Sequence, residues 1–305
     1  MKKIFLIILL FFSNNILYAF SGGVGTKQNP YQIYNIEDLK ELADSVNYST
    51  ANNWSAGKYF ILTNDITEPV NFCIGAGSPP NARMFYGNFD GQGYSINLAI
   101  EQAKSDCFAL FSIVNSCEIK NLTVNGYVNG DAAGGIVGVI NTSLVSLDDT
   151  VKIINCINNS KINAKNAGGI VYCVFGNYNS YLIISNCINL GSILAFSKPG
   201  DANGIALGGI IGRVGIAKTI ITNCINYAFI YADSVVFNNL PSIVGGIWGI
   251  GYDGTHTNNY AIISNCANFG IVRGPGNVGC IVGFQGNRTT VINCHYDKQM
   301  CGGDD

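Results

Sequence analysis

The sequence contains few charged residues, no excess of basic over acidic residues and little proline. Only 12% of its 305 residues are charged, about half of the share that is usual in soluble domains. A formal net charge of −2 lacks the basic footprint of a nucleic-acid-binding protein, so no nucleic-acid partner is expected. Low charge combined with 48% apolar residues excludes an intrinsically disordered chain. Seven prolines, with no glycine at every third position, exclude a collagen-like chain.

Catalytic signatures are missing as well. With only His256 and His295, the chain cannot form the His-Glu-x-x-His pattern of zinc peptidases, and the Gly-x-Ser-x-Gly elbow of serine hydrolases does not occur. Cys294, His295, Asp297 and Cys301 could be metal ligands, but their spacing is irregular, and a structural terminus is the preferred interpretation. We therefore predict no catalytic residue, no metal site and no cofactor.

The first 20 residues predict a signal peptide. Lys2 and Lys3 form a short basic region, an apolar run covers Ile4–Phe12, and Ala19 is a small residue at a plausible cleavage point. This run is too short to cross a bilayer, which takes about 20 residues. We expect an exported protein, secreted or on the cell surface, with no membrane span in the mature chain. An uncleaved anchor is the alternative.

Two short phrases alternate along the second half of the chain. The first, Asn-Cys-Ile-Asn with variants, is centred on Cys156, Cys187, Cys224, Cys266 and Cys294. The second, Gly-Gly-Ile-Val-Gly with variants, begins at Gly134, Gly168, Gly208, Gly245 and, in degenerate form, Gly279. Self-similarity at intervals of 20 to 50 residues is the signature of a stacked array.

Each repeat predicts three short strands separated by turn residues; in the first clear repeat these are residues 135–140, 151–156 and 161–164. None of these strands buries its apolar face alone, so successive coils must stack. The predicted fold is all-β, a right-handed parallel β-helix over residues 58–300, with a tail at 301–305. Residues 21–57 predict an N-terminal cap, because Asn35 and Asp38 can begin an amphipathic helix over residues 36–47.

The first asparagine and the cysteine of each Asn-Cys phrase predict a structural ladder. Stacked asparagine side chains can hydrogen-bond from coil to coil, and a reduced cysteine beside them behaves as a small buried hydrophobe. Disulfides between neighbouring coils are the alternative. The ladder residues are Asn155, Cys156, Asn186, Cys187, Asn223, Cys224, Asn265, Cys266, Asn293 and Cys294.

The order of several motifs resembles that of GLUG-repeat proteins, and the resemblance covers nearly all of the chain after the signal. The Gly-Gly-Ile-Val-Gly units resemble the GLUG motif, with isoleucine in place of leucine. The other matching motifs are Gly25-Thr26, Asn29-Pro30-Tyr31, Leu39 and Leu42 of the helix, Gly57–Phe60, Phe89-Asp90-Gly91, Ile119–Val124 and Asn293–Met300.

This resemblance implies a bacterial product that is exported or surface-exposed and adhesin-like. In some immunoglobulin-cleaving metallopeptidases the motif forms a non-catalytic region. The family has no shared catalytic motif to carry over to this chain.

Aromatic residues between the repeats predict a ligand-binding surface, because flat rings can stack on sugars or anchor a protein partner. Packing within the loops is the alternative. These residues are Tyr172, Phe175, Tyr178, Tyr181, Trp248, Tyr252 and Tyr260. We therefore expect a non-catalytic, adhesin-like binding or structural module, with glycans or host matrix proteins as partners. The alternatives are a passive spacer and a polysaccharide-cleaving β-helix enzyme that uses the Asp148-Asp149 pair, which is otherwise a solvated loop pair.

Overall fold

A computed structural model describes residues 20–51, 53–77, 82–101, 108–142, 149–176, 180–196, 205–215, 217–233, 242–251, 260–286 and 288–301. The predicted signal peptide, apart from Phe20, lies outside these residues, as do Tyr178, Tyr252 and Asp148. The described residues contain one α-helix, a short 3-10 turn at Lys298–Met300 and thirty strands, which form three sheets. In that part of the chain, no helix combines the length and hydrophobicity that crossing a bilayer requires.

Sheet A has nine strands in the spatial order β1 (Tyr31–Ile33), β2 (Tyr59–Leu62), β4 (Asn88–Asp90), β7 (Glu118–Lys120), β10 (Thr150–Ile154), β14 (Tyr181–Ser185), β19 (Lys218–Thr222), β24 (Ala261–Ser264) and β29 (Thr289–Ile292). Sheet C has six strands, in the order β6 (Phe111–Val114), β9 (Val137–Asn141), β13 (Val171–Phe175), β18 (Ile211–Val214), β23 (Trp248–Gly251) and β28 (Val282–Phe284).

Sheet B is branched, because its two longest strands, Thr123–Gly134 and Lys161–Gly168, each pair with two strands of the next coil. Its fifteen strands are β3 (Ile66–Val70), β5 (Ser95–Glu101), β8 (Thr123–Gly134), β11 (Ile157–Asn158), β12 (Lys161–Gly168), β15 (Ile188–Asn189), β16 (Ile193–Ala195), β17 (Ala206–Gly208), β20 (Ile225–Asn226), β21 (Ile230–Ala232), β22 (Ile243–Gly245), β25 (Ala267–Asn268), β26 (Val272–Arg273), β27 (Asn277–Gly279) and β30 (His295–Tyr296).

Equivalent residues of successive coils lie in register. In sheet A, for example, Ile153 of β10 pairs with Ile184 of β14, and Ile184 pairs with Ile221 of β19, always in parallel. Buried and more exposed residues alternate along these three strands, and the three isoleucines are fully buried. The chain visits sheets C, A and B once per coil, so the inward side chains form one continuous core. The predicted all-β, parallel β-helix class is confirmed.

The helix α1 (Ile36–Asn47) lies at the N-terminal end, over the residues predicted from the apolar spacing. Its N-cap is Asn35, whose side chain accepts a hydrogen bond from the Asp38 backbone N–H at 2.9 Å. The Asp38 carboxylate accepts from the Tyr34 backbone N–H at 2.8 Å and from the Ser21 hydroxyl at 2.6 Å. Leu39 and other apolar residues of one face are buried against the first coils.

Both predicted boundaries of the solenoid need correction. Strand β1 pairs in register with β2, so the first coil begins inside the range that was predicted to be only a cap. At the other end, Cys301 forms a disulfide with Cys280 and a parallel bridge with Val272, so it belongs to the last coil instead of a tail. Neither contact is local in sequence, which is why the repeat pattern did not reveal it.

The two sequence phrases meet at one corner of every coil. A Cβ atom on Gly209 would overlap the backbone carbonyl of Gly246 one coil away and lie 2.6 Å from Cγ of Asn226. The same relation holds for Gly135 with Asn158 and for Gly169 with Asn189. The second glycine of each Gly-Gly phrase thus leaves the space that the second asparagine of the neighbouring phrase fills.

Candidate functional site

The first asparagine of each Asn-Cys phrase lies at an exposed corner. Its φ angle is positive, between 49° and 55°, a region that asparagine tolerates better than most residues. Asn155 Nδ2 donates to Asn121 Oδ1 at 2.7 Å, and Asn223 Nδ2 donates to Asn186 Oδ1 at 3.2 Å. These bonds run between neighbouring coils on the surface. The residues of this corner are Asn155, Asn186, Asn223, Asn265 and Asn293.

A second ladder, which the sequence analysis did not single out, is buried. It is formed by the second asparagine of each phrase, and all four of its members are fully buried. The Nδ2 atom of each donates to Oδ1 of the next at 2.7–2.9 Å, in the order Asn158, Asn189, Asn226 and Asn268. Its members also bond to the backbone two residues further on, as Asn226 does to Ala228. This ladder satisfies polar groups that burial would otherwise leave unpaired.

The predicted cysteine stack lies next to this ladder, inside the core. Cys156, Cys187, Cys224 and Cys266 are fully buried free thiols, and Cys294 of the last coil is partly exposed. Cys187 Sγ donates to the Ser185 carbonyl oxygen at 3.4 Å, and its equivalents bond in the same way. Burial raises the pKa of the Cys187 thiol well above its usual range. The four buried thiols therefore pack as an apolar column inside the core.

We expect the reactivity of each cysteine thiol to depend on how deeply the thiol is buried. Seven cysteines in the described residues are free, so at least seven thiols should react with a chromogenic disulfide reagent after denaturation without reductant. In the native protein Cys294 should react first, because it is partly exposed, whereas the reagent cannot reach the thiols buried in the core. Only three or fewer reactive thiols in the denatured, unreduced protein would contradict the thiol stack and favour disulfides between coils.

The aromatic residues predicted to bind ligand do not form one surface. Trp248 is 2% exposed and belongs to the core, so its assignment to a ligand surface was wrong. The reason is its register: Trp248 of β23 pairs with Ile211 of β18, an inward-facing position. Phe175 is 52% exposed, whereas Tyr172 is largely covered and stacks on Phe108, and burial raises the pKa of Tyr172 to about 12.

The other two described members of that set lie at one edge of sheet A. Lys218 Nζ lies over the Tyr181 ring, 4.6 Å from its centroid, and donates to the Tyr181 hydroxyl at 3.2 Å. Tyr260 is 37% exposed, and its carbonyl oxygen accepts from the Thr219 backbone N–H. Tyr181 is therefore engaged by a lysine, and neither residue extends a flat platform.

The structure instead exposes an aromatic surface on sheet B. Leu190, Tyr227 and Phe269 follow the buried asparagines of three successive coils and are 45–51% exposed. The rings of Tyr227 and Phe269 stack with centroids 5.5 Å apart and planes at 28°. Phe229 and Tyr231 continue the row along one coil, with centroids 5.8 Å apart and planes at 12°. We call these five residues the aromatic face.

The aromatic face has neighbours that are apolar on one side and cationic on the other. In register with Tyr231 lie Leu194 on one neighbouring strand and Arg273 on the other. A sequence signal for the face did exist, because the residue directly after Asn189, Asn226 and Asn268 is apolar or aromatic each time. The predicted ligand surface was built on other aromatic residues and did not include these positions, which directly follow strands β15, β20 and β25.

The enzyme alternative relied on the Asp148-Asp149 pair, of which the structure describes only Asp149. Asp149 is not solvated as a loop residue would be. Asp149 is only 7% exposed, and its Oδ1 atom accepts from the Ser116 hydroxyl at 2.6 Å. A buried carboxylate held by a serine is poorly placed to reach a polysaccharide. Among the residues that the structure describes, no cluster of His, Cys, Asp and Glu side chains has the geometry of a metal site.

Comparison with known proteins gives partial sequence matches. No family model matches the chain. A protein of Evansella cellulosilytica, provisionally named a Gly-rich membrane protein, is 28% identical over 144 residues, which is 44% of this chain and 16% of that protein. Halomucin of Haloquadratum walsbyi is 30% identical over 151 residues, which is 44% of this chain and 2% of halomucin. This chain thus corresponds to a small fraction of either relative.

Among solved structures, the chain is similar to a crystal structure from Bacteroides ovatus that is provisionally named an immunoglobulin A1 protease. The TM-score is 0.66 at 21% sequence identity, and the alignment covers 92% of this chain and 79% of that chain. At this identity the likeness shows a shared fold and nothing about activity. The parallel β-helix described above is therefore an architecture that also occurs in an experimentally determined protein.

Proposed function

We propose that this protein is an exported, surface-displayed and non-catalytic β-solenoid that binds glycan chains on its aromatic face. The observation that carries the proposal is the stacked pair of exposed rings, Tyr227 and Phe269, with Phe229 and Tyr231 beside them. Large apolar side chains that stay exposed side by side on a regular sheet commonly mark a binding surface.

The shape of the aromatic face favours a sugar over a protein partner. A pyranose ring has an apolar face of C–H groups and a polar edge of hydroxyl groups, so it can stack on a flat aromatic ring while the hydroxyl groups stay hydrated. Protein partners usually bind through anchors that fill pockets, whereas the rings here lie along a sheet. Since charged residues make up only 12% of the chain, stacking and hydrogen bonds are expected to dominate recognition.

Two further observations support surface display. The N-terminal pattern is typical of an export signal, and the relatives include a protein named for a membrane location and another named as a mucin. The motif order resembles that of GLUG-repeat proteins, and we include membership of that group in the proposal. The fold itself hosts many functions, so the aromatic face, and not the architecture, supports the binding role.

The double variant Tyr227→Ala, Phe269→Ala tests the binding role. We expect it to weaken the affinity for a bound polysaccharide at least tenfold, or about 1.4 kcal/mol, because the variant removes the two rings on which the sugar would stack. The matched control Tyr48→Ala, Phe284→Ala removes one tyrosine and one phenylalanine that are exposed elsewhere, by 80% and 45%. Titration calorimetry with both variants provides the readout. Equal affinities for the two double variants would refute the aromatic face as the binding site.

A further inference from the structure

A cleft of about 380 Å³ opens on the outer face of sheet A, near the N-terminal end of the solenoid. Outward-facing residues of three successive strands form its floor: Tyr59 of β2, Asp90 of β4, and Glu118 and Lys120 of β7. Lys27, from the loop before β1, stands at its rim, together with Pro30 and Gln92. Aromatic, carboxylate, ammonium and amide groups thus converge on one space.

The charged groups of the cleft are held in place by one another. Lys120 Nζ lies 2.9 Å from Glu118 Oε1 and 3.9 Å from Asp90 Oδ2. Asp90 Oδ1 accepts from the Gln92 backbone N–H at 2.9 Å and from Asn121 Nδ2 at 2.8 Å. The side chains of Asp90, Glu118 and Lys120 are 20–38% exposed, so a ligand can still reach them. Such mutual support gives a polar site its preorganised geometry.

The charges of the cleft balance. Lys27 and Lys120 supply two positive charges, and Asp90 and Glu118 supply two negative charges. A strongly anionic or cationic ligand therefore gains no net attraction from the lining. The carboxylate oxygens can accept hydrogen bonds from adjacent hydroxyl groups, and the ammonium and amide groups can donate. Polyhydroxylated neutral rings match this set of donors and acceptors.

The cleft is confined to this end of the sheet. One coil further on, Lys152 takes the register position of Glu118 and Ile154 takes that of Lys120. On the next strand, Ile183 and Ser185 occupy these two positions. The outer face of sheet A thus changes from charged to mainly apolar within two coils. Among the described residues of these strands, carboxylate and lysine groups occur together only in the first coils.

We infer that this cleft is a second binding site, which takes a neutral sugar ring such as the terminal residue of a glycan. Glu118 and Asp90 would accept hydrogen bonds from neighbouring hydroxyl groups, Lys120 would donate to a ring substituent, and Lys27 would close the rim. The site lies on sheet A, whereas the aromatic face lies on sheet B, so neither site needs the other. No bond is made or broken in this binding.

The test uses short neutral saccharides, because a mono- or disaccharide can fill the cleft but cannot span the aromatic face. The purified protein is titrated with glucose, galactose, mannose, N-acetylglucosamine and their disaccharides, and binding is measured by saturation-transfer NMR and calorimetry. We expect at least one of them to bind at millimolar concentration or below, and the charged analogues glucuronate and glucosamine to bind no more tightly. Absence of binding by the whole neutral series would overturn the inference.

Variants then assign the binding to the cleft. Glu118→Gln removes one acceptor charge with little change in shape, and Lys27→Met changes only an exposed rim residue, so the latter variant should fold even if the former does not. Each should weaken binding of the short saccharide at least fivefold, whereas the exposed carboxylate variant Glu68→Gln, on β3, should not change it. Unchanged affinity in both cleft variants would also overturn the inference.

The aromatic-face variant separates the two proposals. Tyr227→Ala, Phe269→Ala should retain the binding of short saccharides in the cleft, and Glu118→Gln should retain the binding of polymers on the aromatic face. If one of the two sites does not bind sugar, the experiment on the other site can therefore still be interpreted. Loss of short-saccharide binding in the aromatic-face variant, with the cleft variants unaffected, would place the sugar on sheet B and refute the cleft as a site.

Discussion

Gly209→Ala is expected to lower the free energy of unfolding by about 3 kcal/mol or more. The added methyl group would overlap the carbonyl oxygen of Gly246 and lie 2.6 Å from Cγ of Asn226. Neither neighbour can move cheaply. The first is backbone of the next coil, which is held by the hydrogen bond from the Gly209 N–H to the Gly245 carbonyl at 3.1 Å, and the second belongs to the buried ladder.

Gly274→Ala provides the matched control. There, the nearest atom to the added methyl group is a Val244 side-chain carbon at 3.1 Å, which can shift slightly. We expect this variant to change stability by about 1 kcal/mol or less. Denaturant unfolding followed by circular dichroism compares the two. If both variants unfold at the midpoint of the wild type, the close approach of coils at the Gly-Gly corner is refuted.

Asn226→Ala is expected to cost about 3–5 kcal/mol, since each buried group left without a partner costs about 1–3 kcal/mol. Asn226 Nδ2 donates to Asn268 Oδ1 at 2.7 Å, and Asn226 Oδ1 accepts from Asn189 Nδ2 at 2.9 Å. The side chain also exchanges hydrogen bonds with the backbone of Ala228. Without this side chain, Asn189 Nδ2 and Asn268 Oδ1 each lose a hydrogen-bond partner inside the core, and a cavity opens between the two neighbouring coils.

An exposed asparagine pair on neighbouring coils provides the contrast for this prediction. Asn159 is exposed, and its Nδ2 atom donates to Asn125 Oδ1 at 3.0 Å. Because water can replace that bond, Asn159→Ala should cost less than about 1 kcal/mol. Thermal unfolding of both variants under the same conditions measures the difference. Similar costs for Asn159→Ala and Asn226→Ala would show that the buried ladder does not hold the coils together.

The architecture could be predicted because its signals are local and repeated. The Gly-Gly and Asn-Cys phrases recur once per coil, and parallel stacking brings equivalent positions together without further information. The helix at residues 36–47 was equally predictable, because Asn35 caps it and its apolar residues have the spacing of one helical face. In both cases the determinants lie within a few residues of one another.

The proposed binding surface could not be predicted in the same way. Within one phrase, Asn155 is exposed and Asn158, three residues later, is fully buried, because the chain turns a corner between them. Trp248 looks like a ligand-stacking residue in the sequence, but its pairing with Ile211 turns it into the core. The cleft on sheet A depends on the register between strands β4 and β7, which lie about 30 positions apart in sequence, as in the pairing of Asn88 with Glu118.

One experiment on the wild-type protein distinguishes a solenoid that only binds glycans, as proposed, from one that cleaves them. The purified protein is incubated with a panel of polysaccharides, glycans and host matrix proteins, and both binding and release of reducing or unsaturated sugar are measured on the same samples. We expect binding to at least one glycan with no release of sugar, as the proposed function requires. Release of sugar, or binding to none of the glycans, would contradict it.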